Sequence, residues 1–146
     1  MSLISPREVV IALMMLFPHM QHRECVVAHQ EQIIQSLETI EITYPEMPVE
    51  HITSIGFVET HLGCDPSSGG NWGAPVSRLR RNVAGTPLQA ARILWRSYEV
   101  CGNNWEAAMR RFRTGVCMPT TIGTRYGRMA MNVSYRLETQ TLRNRH

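Results

Sequence analysis

Among the residues of this 146-residue chain, Glu59 has the type and position that most invite chemistry. Read at 3.6 residues per turn, Ile52, Ile55, Glu59 and Leu62 fall at i, i+3, i+7 and i+10, so a carboxyl group stands on the stripe that should face a core. Burying an ionised carboxylate is costly unless it is paired or takes up a proton, and a carboxyl group that keeps its proton near neutral pH is what general acid catalysis uses. The plainer alternative is a helix that ends near His61 and leaves Glu59 on the rim of the core, reaching water or an arginine. Asp65 is the next acid, and none follows it before Glu99. Asp65 is thus the candidate second acid, and beside Pro66 and Ser67 it also has the chemistry of a turn-forming residue.

The elements that must position Glu59 read as helices. Ser5-Pro6-Arg7-Glu8 is a capping box with proline at the first helical position, and the helix it opens should run to about Phe17 before Pro18. A second helix is expected from about Gln21 to Leu37, and Glu41 to Pro48, with its β-like Ile-Thr-Tyr, reads as a connector. The helix carrying Glu59 should start at Pro48 or Val49 and end near Leu62, with Gly63 as terminator. From Cys64 to Gly85 no helical period survives, and a loop of that length inside one domain is usually functional. Thr86-Pro87-Leu88-Gln89 is a second capping box, Asn104 caps the next helix, Gly115 ends it, and a last helix should span about Gly123 to Leu142. The expectation is a mainly α single domain over residues 1–146, with N-terminal helices in 1–40, a core in 48–143 and one long Gly-rich loop.

Charge is divided unevenly. All 15 basic residues are arginine; up to Asp65 there are nine acids against Arg7 and Arg23, and beyond it 13 arginines against Glu99, Glu106 and Glu138. Such a face suits a polyanion, nucleic acid or an anionic wall polymer, or simply offsets the acidic half; no nucleic-acid recognition motif accompanies it. The longest apolar run, Val9 to Phe17, is too short to span a bilayer and reads as a core helix, with no signal-peptide pattern around it. Cys25, Cys64, Cys101 and Cys117 match no zinc spacing. Cys101 and Cys117 flank one helix and are placed either to form a disulfide or to remain buried thiols; a metal set of His61, Cys64, Cys101 and Cys117 is the weaker alternative, and no cofactor or metal is expected. His22 and His29 read as surface or rim residues.

A helix closing on Glu59-Thr60, a Gly-rich loop reaching Trp72-Gly73-Ala74, a capped helix, Ala107-Ala108 leading to Phe112-Arg113-Thr114-Gly115, and Tyr126 in the last helix together resemble the lysozyme-like domain of soluble lytic transglycosylases. Goose-type lysozymes share that layout. The similarity covers roughly Val49 to Tyr135. The chain departs from the family where Ala74 follows Gly73 in place of the loop Gln, and where Arg113 replaces an Asn and Phe112 a Tyr.

The resemblance implies cleavage of the β-1,4 bond between N-acetylmuramic acid and N-acetylglucosamine in peptidoglycan glycan strands, at the bacterial cell wall, with Glu59 as acid and then base. It also implies sugar-binding roles for Thr60, Trp72, Gly73, Phe112, Arg113 and Tyr126. Trp72 is either a stacking platform for a sugar or a residue folded over the core to pin the loop; Tyr126 would position the acid or the sugar, and Arg113 would meet the sugar or a stem-peptide carboxylate. Trp95, Trp105, Tyr98 and Tyr135 read as packing residues. Two alternatives remain open: a muramidase-type hydrolase, and a non-catalytic wall-binding module on the same fold.

Overall fold

The computed structural model describes residues 3–65, 72 and 86–146. Among the described residues seven helices follow one another: α1 Pro6–Leu16, α2 Arg23–Ala28, α3 Gln30–Thr43, α4 Val49–Thr60, α5 Pro87–Val100, α6 Trp105–Thr114 and α7 Thr121–Asn144. There is no strand among the described residues, so the fold is mainly α.

The caps legible in the sequence form as side-chain chemistry requires. Ser5 accepts from the Glu8 amide while Glu8 accepts from the Ser5 amide, and Thr86 and Gln89 reciprocate in the same way. Asn104 caps α6, and Gly115 ends it with φ 82°. Glu8 also serves the tertiary fold. Arg145, just past α7, donates to both its carboxylate oxygens, which together with the Ser5 amide holds this carboxyl down at about 2. The C-terminus of the chain is thereby clasped to α1.

Three expectations change. The second helix is two, α2 and α3, meeting at His29, whose amide still bonds back to Cys25 O and Val27 O. Glu41 to Thr43 continue α3 instead of forming a connector, because Ile33, Leu37 and Ile40 form one buried stripe that carries the helix past the β-branched residues. Helix α4 ends at Thr60, not Leu62, and its left-handed cap falls on His61 (φ 51°), ahead of Leu62 (φ 60°) and Gly63 (φ 85°).

Helix α4 is the axis of the fold, packed against α1, α3, α5 and α7. Val49, Ile52, Thr53, Ser54, Ile55 and Gly56 are all buried, so most of its surface is covered. Small residues set the α4 crossing with α7: the Ser54 hydroxyl donates to Ala130 O at 2.5 Å. On the other side of α7, a Cβ at Gly127 would lie 3.3 Å from Glu106 O, so the glycine lets α6 approach closely. One continuous core runs from Ile4 through Val9, Leu13, Ile34, Leu37, Ile52, Leu94, Phe112 and Leu137, drawing on the N-terminal helices as well as the later ones.

A second aromatic layer lies over α3, α5 and α6. Tyr98 stacks on Trp105 at 3.8 Å between centroids and on Trp95 at 5.4 Å, with Tyr44 beyond, and His51 meets the Trp105 edge. These are packing roles, as the helical spacing of Trp95, Tyr98 and Trp105 indicates. Tyr135, in contrast, is exposed: position 135 lies on the solvent face of α7, one residue beyond buried Ser134. Among the described residues no helix is long and apolar enough to cross a membrane.

Candidate active site

Glu59 sits in the last turn of α4, half-buried. Its partner comes from 67 residues away: the Tyr126 hydroxyl donates to Glu59 Oε1 at 2.8 Å. The pairing exists because α7 crosses α4 on small residues and Tyr126, buried in the second turn of α7, points inward at the end of the α4 axis. Burial, and then the neighbouring Glu59 carboxylate, push the Tyr126 phenol well above its ordinary value. The phenol is therefore a fixed donor to Glu59 at any physiological pH. Opposing that rise is the charge of Arg113, an exposed residue of α6 whose guanidinium stands close enough to act on Tyr126.

The turn after Glu59 is closed tightly. The His61 amide donates to Phe57 O, the Leu62 amide to Gly56 O, and the Asp65 amide to Thr60 O. Thr60 Oγ1 accepts the Gly63 amide at 2.9 Å, so its hydroxyl seals the helix end. Gly56 is where Trp72 comes down on α4: a Cβ at position 56 would lie 2.7 Å from Trp72 Cε3 and 2.9 Å from Leu62 Cδ2. Trp72 is 2% exposed.

This burial decides between the two roles open to Trp72: it is folded over the core and has no face for a sugar. Phe112, expected to touch substrate, is 0% exposed and also belongs to the core, since the α6 stripe of Ala108, Met109 and Phe112 faces inward. Gly73 lies outside the described residues. Of the expected site residues, the structure brings together Glu59 and Tyr126, with Arg113 near enough for its charge to act on Tyr126 and Thr60 in the supporting turn. Asp65 is placed in that same turn, where its charge acts on the His61 ring.

Two features were missed in the sequence. Cys25 is bonded to Cys64, 39 positions further along the chain, with Cα atoms 5.7 Å apart, tying α2 to the segment that follows Glu59. His22, also left-handed (φ 60°), meets His61 edge-on at 5.5 Å, and the Phe57 ring also meets His61 edge-on, at 5.3 Å. Burial, followed by the His22 charge, lowers the His61 pKa. Nothing in the sequence marked Cys25 and Cys64 as mates. The second pair, Cys101–Cys117, is a disulfide, which settles the choice between bridge and buried thiols and removes the metal set of His61, Cys64, Cys101 and Cys117.

A scan against protein-family models finds no matching family, and searches of curated proteins and of solved structures find no match.

Proposed function

We propose that the chain is a peptidoglycan-cleaving enzyme of the lysozyme-like type, acting as a lytic transglycosylase with Glu59 as general acid and then base. The observation that carries this reading is the Tyr126–Glu59 hydrogen bond at 2.8 Å. A tyrosine that stays protonated occupies one oxygen of the carboxyl group and orients it, leaving the other oxygen to handle a proton.

In the reaction, Glu59 gives its proton to the O4 leaving oxygen as the C1–O4 bond breaks and positive charge develops on the sugar ring. The resulting carboxylate removes the proton from the C6 hydroxyl of the same sugar while O6 bonds to C1, closing a 1,6-anhydro ring. Glu59 ends protonated, as it began. Arg113, exposed beside this pair, supplies a cation for a stem-peptide carboxylate or a polar sugar group. The two disulfides suit an enzyme working outside the cytosol, at the bacterial wall.

A second reading, a wall-binding module without catalysis, draws on the burial of Trp72 and Phe112, which removes two aromatic contacts from any sugar cleft. Digestion of purified sacculi followed by mass spectrometry separates the cases. Anhydro-muropeptides that disappear in Glu59→Gln support transglycosylation, reducing ends indicate a muramidase-type hydrolase, and retention on sacculi without products supports the binding module.

A further inference from the structure

We propose that Cys25, His29 and Cys64 form a second, metal-binding site that opens when their disulfide is reduced, taking Zn²⁺ or a similar soft divalent ion. The donor atoms of these three residues lie within 4.8 Å of one another. Cys25 and His29 stand one turn apart at the end of α2, the His29 Nδ1 being 3.6 Å from Cys25 Sγ. A tetrahedral zinc with bonds of about 2.3 Å to sulfur and about 2.1 Å to nitrogen sets its sulfur and nitrogen ligands about 3.6 Å apart. That edge of the polyhedron is already present.

Three further observations make the place a site and not a chance cluster. The residues line a cavity of about 290 Å³, bounded also by Gln32, Leu62 and Trp72, which leaves room for an ion and a water as fourth ligand. His29 is exposed, so an ion has a way in. It is also the joint between α2 and α3, and its ring is held on the Cys25 side by the Nδ1 bond to Cys25 O at 2.9 Å. Two thiolates and one imidazole are a soft set that selects zinc-like ions over magnesium or calcium.

The balance is simple. A dithiol, or a phosphine with water, delivers two electrons and two protons to the S–S bond, giving two thiols and the oxidised reductant. The metal ion then displaces the two thiol protons, and His29 gives up its present Nδ1 bond to Cys25 O to carry its proton on Nε2. The site thus has two closed forms, disulfide and metal, and both fasten α2 to the turn behind Glu59. Neither form depends on the proposed catalytic activity.

The test titrates Co²⁺ into the full chain after phosphine reduction under anaerobic conditions, reading the sulfur-to-cobalt charge-transfer absorption. One equivalent should bind to the reduced protein and none to the oxidised one. Cys64→Ser should lose the band, Cys117→Ser should keep it, and His29→Ala should weaken binding by about tenfold or more. A band indifferent to His29→Ala, or carried by Cys117, overturns the proposal. Since the reduced chain loses two crosslinks, far-ultraviolet circular dichroism with and without Zn²⁺ is recorded in parallel. Zinc should raise the melting temperature of reduced wild type more than that of reduced His29→Ala, and equal shifts in both would also overturn it.

Discussion

Tyr126 and Glu59, 67 residues apart in sequence, share a hydrogen bond of 2.8 Å at the point where the last helix crosses the end of the central one. The bond links the burial of a phenol to the orientation of a carboxyl group.

Tyr126→Phe tests that link twice. Loss of a hydrogen bond to a charged group is worth about 1.5–3 kcal/mol, so sacculus digestion should slow by about ten- to a hundredfold. The phenol pKa is raised above the ordinary 10.0 of the unfolded chain, so above pH 10 the unfolded state releases its proton first and stability falls as pH rises. Urea midpoints at about pH 9 and about pH 11 should therefore diverge more in wild type than in Tyr126→Phe.

His51 gives the acid limb. It is half-buried in α4 with its Nδ1 2.6 Å from Ser134 Oγ, and the desolvation this brings lowers its pKa from 6.5 to about 4. The unfolded chain binds the extra proton between those values, so the stabilisation is complete above about pH 6.5 and is lost as pH falls toward 4. The loss amounts to about 3 kcal/mol at about 1.4 kcal/mol per pH unit. His51→Gln should flatten this slope in urea titrations, and parallel slopes would contradict the assignment.

Gly56→Ala should be destabilising although alanine is the better helix former by about 1 kcal/mol. The new methyl would stand 2.7 Å from the Trp72 ring, and overpacking of this kind costs about 1–3 kcal/mol. A lower melting temperature with altered tryptophan fluorescence is the expected result; unchanged emission would mean Trp72 does not rest on α4.

The Cys101–Cys117 disulfide closes a loop of 16 residues around α6. Its removal in the paired Ser variant should cost about 3 kcal/mol in urea unfolding, the loop-entropy value for that length. The Tyr126–Glu59 pair should survive, since neither residue lies inside the loop.

Much of this fold could be read where local chemistry decides. Ser5, Thr86 and Asn104 each state a helix start through one side chain and one amide, and Gly115 states an end. The break at His29 escaped because neither glycine nor proline marks it, and the continuation through Thr43 escaped because the buried Ile40 outweighs local β-propensity. The Glu59 position and its Tyr126 partner were within reach of periodicity and motif resemblance. The inward turn of Trp72 was not, because it depends on a glycine 16 residues earlier lying open beneath it. The Cys25–Cys64 bond, spanning 39 residues, had no local signature at all.

The most direct measurement of the central claim is the rate of soluble muropeptide release from purified sacculi by wild type and Glu59→Gln at equal, folded concentrations. Removing a general acid should cut the rate by about 10²- to 10⁴-fold while leaving sacculus binding intact. Equal rates in the two proteins, or no release by either, would contradict Glu59 as the acid of a glycan-cleaving enzyme.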